Sequence, residues 1–355
     1  MKLTVIVTVY NIAEYLPRFF DSMRRQTFED YVLIVLDDGS EDNSLEVCRA
    51  FEKNDSRIRV IASEHLGIAG IKNKAMEYID TPYVAYVDGD DYVEPGYLEH
   101  LMTAIEKYDA DLSISRVQYH LESGIVEGEF PSRGEVFITA DSFTDMLPML
   151  LDDRRLNYVY GKVYRASILK TIRVEPDVRQ GMDTMINFMY LENARSIVLV
   201  DDLDYHYIRY QSRSITSYSG KDAFERLIRI NLFVTKRCEE MGVLTDGVQQ
   251  VIDKRVLQSA LWVTEKVVAS SYSDDQKAQI ISGILNDETY VQAYQRQKGN
   301  DGAFGFTLIP PQSGDRYLQS LRKSQLTERR KERILNSCPK PVVRLYRKIK
   351  GKNYE

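Results

Sequence analysis

The first part of the chain alternates between apolar runs and amphipathic stretches. Four runs are apolar at nearly every position and predict strands, namely Leu3–Val9, Tyr31–Leu36, Ile58–Ala62 and Tyr83–Val87. Four intervening stretches have helical spacing, namely Glu14–Gln26, Ser44–Lys53, Ala69–Ile79 and Gly96–Tyr108. Strands that alternate with helices are typical of βαβ units, and strands without polar alternation are covered on both faces. We therefore predict an α/β fold with a mostly parallel, twisted sheet flanked by helices.

The pattern changes twice further along the chain. After Asp111, short strand-like pieces such as "DLSISRVQYH" and "SIVLVDD" surround a helical stretch at Ser142–Leu151. From about Lys221 the spacing is mainly helical, as in "AFERLIRINLFVTKRCEEM". We therefore predict a catalytic α/β domain at residues 1–219 and a helical C-terminal domain at residues 220–355.

The composition is that of an ordinary globular protein. The 355 residues are 43% hydrophobic and 28% charged, which allows a sizeable core and more than one domain. The apolar runs are too short to cross a bilayer, and no signal peptide is expected because Met1 leads directly into a strand-like run. Cys48, Cys238 and Cys338 are widely spaced, which favours a reducing compartment over disulfides or a zinc site. These features predict a cytoplasmic protein.

The charge is unevenly distributed. The net charge is -6, but Leu321–Glu355 carries 12 Lys/Arg against 3 Asp/Glu, so an acidic body precedes a basic tail. The segment Pro339–Lys352 has the pattern of a basic amphipathic helix, which favours peripheral contact with an anionic membrane surface. A solvated terminal helix is the alternative. No nucleic acid partner is expected, since no aromatic stacking platform accompanies the tail.

Three polar clusters follow predicted strands. They are Thr8-Val9-Tyr10-Asn11, Asp37-Asp38-Gly39-Ser40 and Asp88-Gly89-Asp90-Asp91. Taken alone, Asp37–Ser40 would be interpreted as a turn, because Asp and Gly favour turns. Asp88–Asp91 alone would be interpreted as a solvated loop, and Thr8–Asn11 alone carries almost no signal. Ligands of open α/β sheets bind outside the carboxyl ends of the strands, so three such clusters in order are expected to meet at one ligand site.

The residue types at these strand ends indicate how a nucleotide would be held. The chain has neither a GxGxxG fingerprint after the first strand nor a GxxxxGK[ST] loop, so phosphate must be bound in another way. A divalent cation on Asp90, with Asp88 as a second candidate, would link the carboxylates to a diphosphate. Asp38 would accept a hydrogen bond from a base, and Tyr10 would stack on it.

Four segments resemble the signature of the family 2 glycosyltransferases, which have the GT-A fold. They are "TVYN" (Thr8–Asn11), "LDDGS" (Leu36–Ser40), "LGIAGIKNKA" (Leu66–Ala75) and "VDGDD" (Val87–Asp91). The resemblance covers roughly residues 1 to 217, and the combination is highly specific. It implies a nucleotide-diphosphate sugar donor, with a UDP-sugar favoured, and Mn²⁺ or Mg²⁺ as cofactor.

The resemblance also implies roles for individual residues. Asp90 would bind the metal, Asp88 would contact the ribose or the sugar, and Asp38 would contact the base. Lys72 stands where the family usually has Arg, so a positive charge remains but the planar fork is absent. The residues expected on the donor side are Thr8, Tyr10, Asn11, Asp38, Lys72 and Asp88.

Inverting transfer requires a base that takes a proton from the acceptor hydroxyl. Family members often carry a Gly-Glu-Asp motif at the start of a helix, and the matching residues here are Gly181-Met182-Asp183. Asp183 is therefore the expected base, with a helix N-cap as the alternative role. Asp177 and Glu175 are the nearby substitutes.

Two further segments resemble parts of the family. In "YHYIRYQSRSITS", His206, Arg209 and Arg213 would close on the diphosphate as a loop that excludes water, although a packed edge-strand histidine is an equal alternative for His206. In "YGKVYR", Lys162 is either structural or lines the acceptor side, and the sequence leaves both readings open.

The resulting hypothesis is an inverting glycosyltransferase that acts on a glycan or lipid-linked acceptor in bacterial surface polysaccharide synthesis, at the inner face of the membrane. An aspartyl-phosphate phosphatase would need an acid where Leu36 stands, and a nucleotidyltransferase would need a basic, Gly-rich loop after the first strand. A nucleotide-sugar-binding scaffold with impaired catalysis remains the alternative, because Met182 replaces the usual Glu. The sequence leaves the oligomeric state open, a homo-oligomer included.

Overall fold

The computed structural model describes residues 1–175, 178, 181–210, 221–300 and 308–323. The chain divides into two compact units, Met1–Ser217 with Arg226–Ile252, and Tyr218–Glu225 with Asp253–Glu355. The first unit thus includes a segment beyond residue 219, and the predicted division into a catalytic and a C-terminal domain stays a prediction.

The strands of the first unit form two sheets. Within the described residues they are β1 (Leu3–Val9), β2 (Tyr31–Asp37), β3 (Ile58–Ala62), β4 (Tyr83–Tyr86), β5 (Tyr92–Val93), β6 (Leu112–Ile114), β7 (Val117–Leu121), β8 (Val126–Glu129), β9 (Val136–Thr139), β10 (Lys162–Arg165), β11 (Ser196–Leu199) and β12 (Tyr205–Arg209). The larger sheet has the order β3-β2-β1-β4-β10-β6-β11-β9, and the smaller one β5-β12-β7-β8.

The helices of the described residues are α1 (Leu16–Arg24), α2 (Ser44–Glu52), α3 (Gly67–Ala75), α4 (Tyr97–Lys107), α5 (Ala140–Asp152), α6 (Ala166–Leu169), α7 (Met182–Leu191), α8 (Lys221–Glu240), α9 (Asp246–Ala269), α10 (Asp274–Leu285) and α11 (Glu288–Gln297). A 3₁₀ turn at Met76–Tyr78 extends α3. Among these residues no helix combines the length and the apolar character that a membrane crossing requires.

The first four predicted strands are confirmed, and the alternation of strands and helices continues through α4. Strands β3, β2, β1 and β4 lie parallel to one another. Strand β10 is antiparallel to both β4 and β6, and β9 is antiparallel to β11. The larger sheet is therefore mixed but mostly parallel, as predicted. Of its described strands six point the same way, and β10 and β9 are reversed.

Both faces of the larger sheet are buried, as the unbroken apolar runs predict. Val5 and Val7 of β1 pack on the side of Phe19 and Phe20 of α1, together with α4. Ile6 points to the opposite face, where helices α3, α5 and α7 contribute to a second core. The three polar clusters begin at or just after the last residues of β1, β2 and β4. They therefore lie at the carboxyl ends of these strands, beyond the apolar segments that form the two cores.

The smaller sheet separates two kinds of side chain. Along β12, Tyr205 and Tyr207 alternate with His206, and the neighbouring strand β7 lies parallel with Tyr119 opposite Tyr207. His206 is stacked on Tyr92 of β5, with ring centroids 4.4 Å apart. One face of this sheet is therefore rich in tyrosine and the other carries the histidine.

The described part of the second unit is helical. Asp253 is buried there and accepts hydrogen bonds from Arg296 (Nη2 to Oδ1, 2.7 Å) and Gln297 (Nε2 to Oδ2, 2.9 Å). Val263 and Val267 are fully buried, whereas Trp262 is 38% exposed. Trp262 therefore lies at the surface of this unit, next to buried neighbours in α9.

Gly181, which precedes α7, has a left-handed backbone conformation and packs closely against Ile230. Its φ is 75°, and a Cβ there would lie 2.4 Å from Ile230 Cδ1. Gly124 has a φ of 84° with open space around a Cβ, so a substitution there would cause backbone strain but no steric clash. We expect Gly124→Ala to lower the free energy of unfolding by about 1 kcal/mol and Gly181→Ala by roughly 1–3 kcal/mol more.

Urea unfolding of the two variants measures this difference. Equal losses in the two variants would contradict the close packing of Gly181 against Ile230.

Candidate active site

Asn11 joins the first polar cluster to the second. Its side-chain Oδ1 accepts a hydrogen bond from the Glu41 N–H (2.7 Å), and its own N–H donates to Ser40 Oγ (3.0 Å). Its φ is 53°, in the left-handed region that Asn tolerates better than most residues. Asn11 therefore fixes the shape of the turn after β1. Thr8 lies before this turn, within β1 and opposite Leu36 of β2.

The carboxylate of Asp38 holds the start of α3. Its Oδ1 accepts from the Leu66 N–H (2.6 Å) and its Oδ2 from the Gly67 N–H (3.0 Å), and the side chain is buried. These donors are unpaired backbone groups at a helix N-terminus, where a negative charge is favourable. Each oxygen retains a second lone pair, so a contact with a base stays a prediction.

Tyr10 lies against His65, and sequence reasoning did not find this partner. The two rings are stacked, with centroids 4.5 Å apart and an angle of 27° between them. The Nδ1 of His65 lies 3.1 Å from Asp38 Oδ2, which positions the imidazole. Tyr10 is 44% exposed, so the pair presents an aromatic surface beside the Asp38 carboxylate. The single His between β3 and α3 was the signal that could have been used.

The acids after β4 differ in their surroundings. Asp91 is fully buried, and its carboxylate accepts from the Tyr205 hydroxyl (2.8 Å) and from the Ile208 N–H (2.8 Å). It therefore ties the acidic loop to β12. Burial raises the pKa of the Asp91 carboxyl well above its usual range.

Gly89 is required by packing. A Cβ on Gly89 would lie 2.7 Å from Ile12 Cδ1 and 3.2 Å from Val7 Cγ2. The space that a side chain would occupy is taken by the apolar side chains of Ile12, Val7 and Leu16.

Asp88 and Asp90 are only partly buried and form the open side of the loop. Burial raises the pKa of the Asp88 carboxyl to about 7; Lys72 opposes this shift, whereas Asp90 and Asp183 add to it. A divalent cation would favour the ionised form of two neighbouring carboxylates, because it offsets the repulsion between them. The donor set therefore fits Mn²⁺ or Mg²⁺, with Asp90 and Asp88 as the residues that would hold it.

Asp183 forms an ion pair with Lys72. The Lys72 Nζ donates to Asp183 Oδ1 at 2.8 Å, and the Val159 N–H donates to Asp183 Oδ2 at 3.3 Å. Burial lowers the pKa of the Lys72 amine, but Asp183 and Asp88 outweigh burial and the net shift is upward. Asp183 keeps 21% of its side chain exposed, against 6% for Lys72, so the carboxylate is the accessible member of the pair.

The first turn of α7 decides between the two roles considered for Asp183. The N-cap residue is Gly181, and Asp183 is the second residue of the helix, so the N-cap alternative is wrong. Met182 is buried in the core between the sheet and the helices, where a Glu would be desolvated. Of the two substitutes for Asp183, Glu175 is exposed and Asp177 lies outside the described residues.

Lys162 is a fully buried lysine that organises the loop next to the ion pair. Its Nζ donates to the carbonyl oxygens of Tyr158 (2.6 Å) and Tyr160 (3.3 Å). Between these two residues lies Val159, whose N–H reaches Asp183. Burial lowers the pKa of the Lys162 amine to about 7. Of the two readings left open by the sequence, the structural one describes this position.

Two of the three residues expected on a loop over the diphosphate belong to strand β12. His206 is buried in β12, with Nε2 2.9 Å from Glu94 Oε1 and Nδ1 3.0 Å from His120 Nε2. Arg209 ends β12 and forms an ion pair with Glu127 (2.9 Å). Arg213 lies outside the described residues. The geometry of His206 is that of a packed strand histidine, and a diphosphate contact stays a prediction.

Arg18 of α1 lies beside the acidic loop, and sequence reasoning missed it. Its guanidinium donates to the Asp90 carbonyl oxygen (2.5 Å) and to the Tyr210 hydroxyl (2.8 Å). Tyr210 itself donates to the same carbonyl oxygen at 3.1 Å. The carbonyl group of Asp90 is thereby held by two donors that also contact each other.

Another group of metal-ligating side chains occurs within the described ranges. His100, Asp202 and Asp204 have ligand atoms within 4.8 Å of one another. His100 Nδ1 lies 2.6 Å from Asp204 Oδ2 and 3.5 Å from Asp202 Oδ1. The contacts of His100 with two carboxylates are sufficient to explain why these three side chains lie together.

Comparison with known proteins indicates the class. Residues 4–173, just under half of the chain, match the family described as Glycosyl transferase family 2. The protein is 31% identical over 226 residues to the glycosyltransferase GlyA of Streptococcus pneumoniae serotype 4, which covers 60% of this chain and 31% of GlyA. The chain spans 31%, 65% and 64% of the lengths of the first three curated relatives it matches.

Two solved structures support the fold. Staphylococcus aureus TarS 1-349 in complex with UDP-GlcNAc superposes with a TM-score of 0.62 at 19% identity, over 82% of this chain and 81% of that chain. The mannosyltransferase PcManGT from Pyrobaculum calidifontis in complex with GDP-Man and Mn²⁺ superposes with a TM-score of 0.50 at 13% identity, over 86% and 87%. At these identities the likeness concerns the fold, and the predicted GT-A fold with a helical C-terminal region is confirmed.

The ion pair of Lys72 with Asp183 can be tested by a double-mutant cycle. Lys72→Met leaves a mostly buried carboxylate without its partner, whereas the double variant with Asp183→Asn removes both charges. We therefore expect a coupling free energy of about 1–3 kcal/mol between the two positions. Urea unfolding of the four proteins measures it, and additive losses would show that the pair is not formed in solution.

The buried amine of Lys162 predicts a pH dependence of stability. Its folded pKa of about 7 lies below the ordinary value of 10.5, so between these pH values the unfolded chain binds more protons. The contribution of Lys162 to stability therefore increases as the pH rises. We expect the unfolding free energy of the wild type relative to Lys162→Met to increase by up to about 1.4 kcal/mol per pH unit above pH 7.

Urea unfolding at several pH values compares the two proteins, and Lys236→Met is the control because Lys236 is 71% exposed. A difference between wild type and Lys162→Met that does not change with pH would mean that Lys162 keeps an ordinary pKa.

Proposed function

We propose that the protein transfers a sugar from a nucleotide-diphosphate donor to a hydroxyl group of an acceptor, with inversion at the anomeric carbon. The observation that carries this proposal is the position of Asp183. It is held by Lys72 and by the Val159 N–H, and it lies within the electrostatic influence of Asp88, which belongs to the acidic loop. The closeness of Asp183 to the acidic loop supports assigning the base and the diphosphate contact to one site.

Asp183 would act on the acceptor hydroxyl. Each of its oxygens accepts one hydrogen bond within the protein and retains a lone pair for another. The acceptor hydroxyl would give its proton to the carboxylate while its oxygen forms a bond to the anomeric carbon. The bond from that carbon to the diphosphate oxygen would break with its electron pair remaining on the diphosphate. A single displacement of this kind inverts the configuration.

Residues around the acidic loop would serve the leaving group. Mn²⁺ or Mg²⁺, when held by Asp90 and Asp88, would neutralise charge on the diphosphate. Lys72 supplies a positive charge that is paired with Asp183 and that opposes the upward shift of the Asp88 pKa. Tyr10 and His65 would receive the base, and Asp38 would accept one of its N–H groups.

The donor and acceptor follow from the relatives as proposals. A structure of TarS contains UDP-GlcNAc and one of PcManGT contains GDP-Man and Mn²⁺, which support a nucleotide-sugar donor, with a UDP-sugar favoured, and a divalent metal. A glycan or lipid-linked glycan in bacterial surface polysaccharide synthesis is the acceptor we propose. A cytoplasmic location, with peripheral contact of the C-terminal tail at the inner membrane face, remains a prediction, and that tail lies outside the described residues.

A nucleotide-sugar-binding scaffold with impaired catalysis is the second candidate. The observation that favours it is Met182, which takes the place of an acid and is buried in the core. Under this alternative the donor binds but its sugar is not transferred or hydrolysed.

Nucleotide release separates the two candidates. We would incubate the protein with UDP-, GDP- and dTDP-sugars and Mn²⁺, and we expect release from at least one donor that stops with EDTA and resumes when Mn²⁺ is restored. Asp183→Asn should lower the rate about 10²–10⁴-fold, because the proton acceptor is lost. Asp246→Asn is the matched control, since Asp246 also lies in the first turn of a helix but is exposed.

Calorimetry with the same nucleotides completes the experiment. Donor binding without release from any donor would favour the scaffold, and full activity of Asp183→Asn would place the base elsewhere. Absence of nucleotide binding would overturn both candidates.

A further inference from the structure

Tyrosine rings from three segments pack together beside Asp183. Tyr205 and Tyr207 come from one face of β12, and Tyr158 and Tyr160 come from the loop before β10. The ring of Tyr160 is stacked on Tyr158 (centroids 4.8 Å apart, 13° between planes) and on Tyr205 (4.8 Å, 12°). Tyr207 is stacked on Tyr160 at 5.5 Å, and Tyr119 of β7 meets its edge at 5.7 Å. These five side chains are the tyrosine cluster.

The cluster has an inner and an outer layer. Tyr205 and Tyr160 are buried, with 0% and 2% exposure, and belong to the core. Tyr158 and Tyr207 are half-buried, with ring centroids 6.5 Å apart and an angle of 32° between them. Core packing accounts for the inner layer. The outer rings pack against Tyr160 of the inner layer, and part of their surface is open to solvent.

The outer layer is fixed relative to the base candidate. Tyr158 directly precedes Val159, whose N–H donates to Asp183 Oδ2. The carbonyl groups on either side of Val159 are held by the buried Lys162 amine, at 2.6 Å from Tyr158 and 3.3 Å from Tyr160. A buried lysine thus uses its donors to hold the loop that joins the tyrosine cluster to Asp183.

The cluster is also fixed relative to the acidic loop. The Tyr205 hydroxyl donates to Asp91 Oδ2 (2.8 Å) and accepts from the Asp88 N–H (3.1 Å). Tyr207, two residues further along the same face of β12, lies within the electrostatic influence of Asp88 and Asp90. The outer rings therefore lie near both the carboxylate that would receive a proton and the loop that would hold the diphosphate.

We propose that Tyr158 and Tyr207 form the acceptor subsite, where the pyranose ring that supplies the attacking hydroxyl stacks against them. This inference rests on the proposed function and names the chemical class of its acceptor: the group next to the reaction centre is a sugar ring. The attacking hydroxyl has to reach Asp183, and these rings are the aromatic surface joined to it through Val159.

The chemistry of the surface favours a sugar over a lipid chain. A pyranose presents a face of C–H groups and a rim of hydroxyls. The tyrosine rings offer an apolar face to the former, and a phenolic hydroxyl can donate to or accept from the latter. A nucleobase has a separate aromatic surface at Tyr10 and His65, beside Asp38. One aromatic surface would therefore bind the donor's base, and the other would bind the acceptor sugar.

Saturation-transfer NMR with simple glycosides tests the proposal. The probes are methyl α- and β-glycosides of glucose, galactose, mannose and N-acetylglucosamine, added to the full chain with UDP and Mg²⁺. We expect saturation of ring C–H protons in at least one glycoside. Tyr207→Ala should raise its Kd about tenfold or more, whereas Tyr207→Phe, which keeps the ring, should stay within about threefold.

Two further variants control for folding and position. Tyr108→Ala removes a half-buried tyrosine that is stacked on Phe137 (4.7 Å) in another part of the first unit, and it should leave the Kd unchanged. Tyr158→Leu tests the second ring of the platform and replaces Tyr207→Ala should that variant fail to show cooperative unfolding.

The outcomes separate this inference from the proposed function. Binding of UDP to the wild type by calorimetry, together with glycoside binding that is weakened by Tyr207→Ala or Tyr158→Leu, supports the subsite. Binding of UDP without any bound glycoside, or with a Kd that neither substitution changes, overturns the subsite and leaves the proposed function in place. Absence of binding of UDP, GDP and dTDP to the wild type overturns the proposed function itself.

Discussion

The ion pair of Lys72 with Asp183 is the contact on which the arrangement of the active site depends. It joins residues 111 positions apart in sequence, one in α3 and the other in the first turn of α7. A lysine with 6% of its side chain exposed is costly to bury alone, and the carboxylate makes this burial tolerable. In return the lysine fixes one oxygen of Asp183, while the Val159 N–H fixes the other. The helix, the loop before β10 and the sheet edge are thereby held in one geometry.

The acids of the signature motifs divide into two groups with different roles. Asp38 and Asp91 are buried and accept hydrogen bonds from backbone N–H groups, so they shape the loops around the site. Asp88, Asp90 and Asp183 keep part of their surface accessible. This second group is the more accessible to a cation or to an acceptor hydroxyl, whereas Asp38 would meet only a base. The motif letters alone do not distinguish the groups, since all five residues are aspartates.

The sequence predicted the parts of the structure that are encoded locally. The strands β1 to β4 are unbroken apolar runs, and Asp183 follows a glycine at the start of an apolar helix. Contacts between distant segments were not predictable in this way. The stacking of Tyr10 on His65 and the hydrogen bonds of Arg18 to the Asp90 carbonyl depend on how the elements pack. The Val159 N–H is a main-chain atom, so the residue type at that position carries no signal of its role.

The position of Asp38 has a consequence for how a nucleotide is selected. Because its two oxygens are held by the Leu66 and Gly67 N–H groups, the carboxylate occupies one rotamer before any ligand arrives. A base that donates a hydrogen bond to Asp38 would therefore cost little side-chain entropy, and the contact would contribute more to the binding affinity. If the proposed base contact holds, the same anchoring would link base preference to the turn between β3 and α3. A substitution in that turn would then change the choice of nucleotide without altering a residue that touches the base.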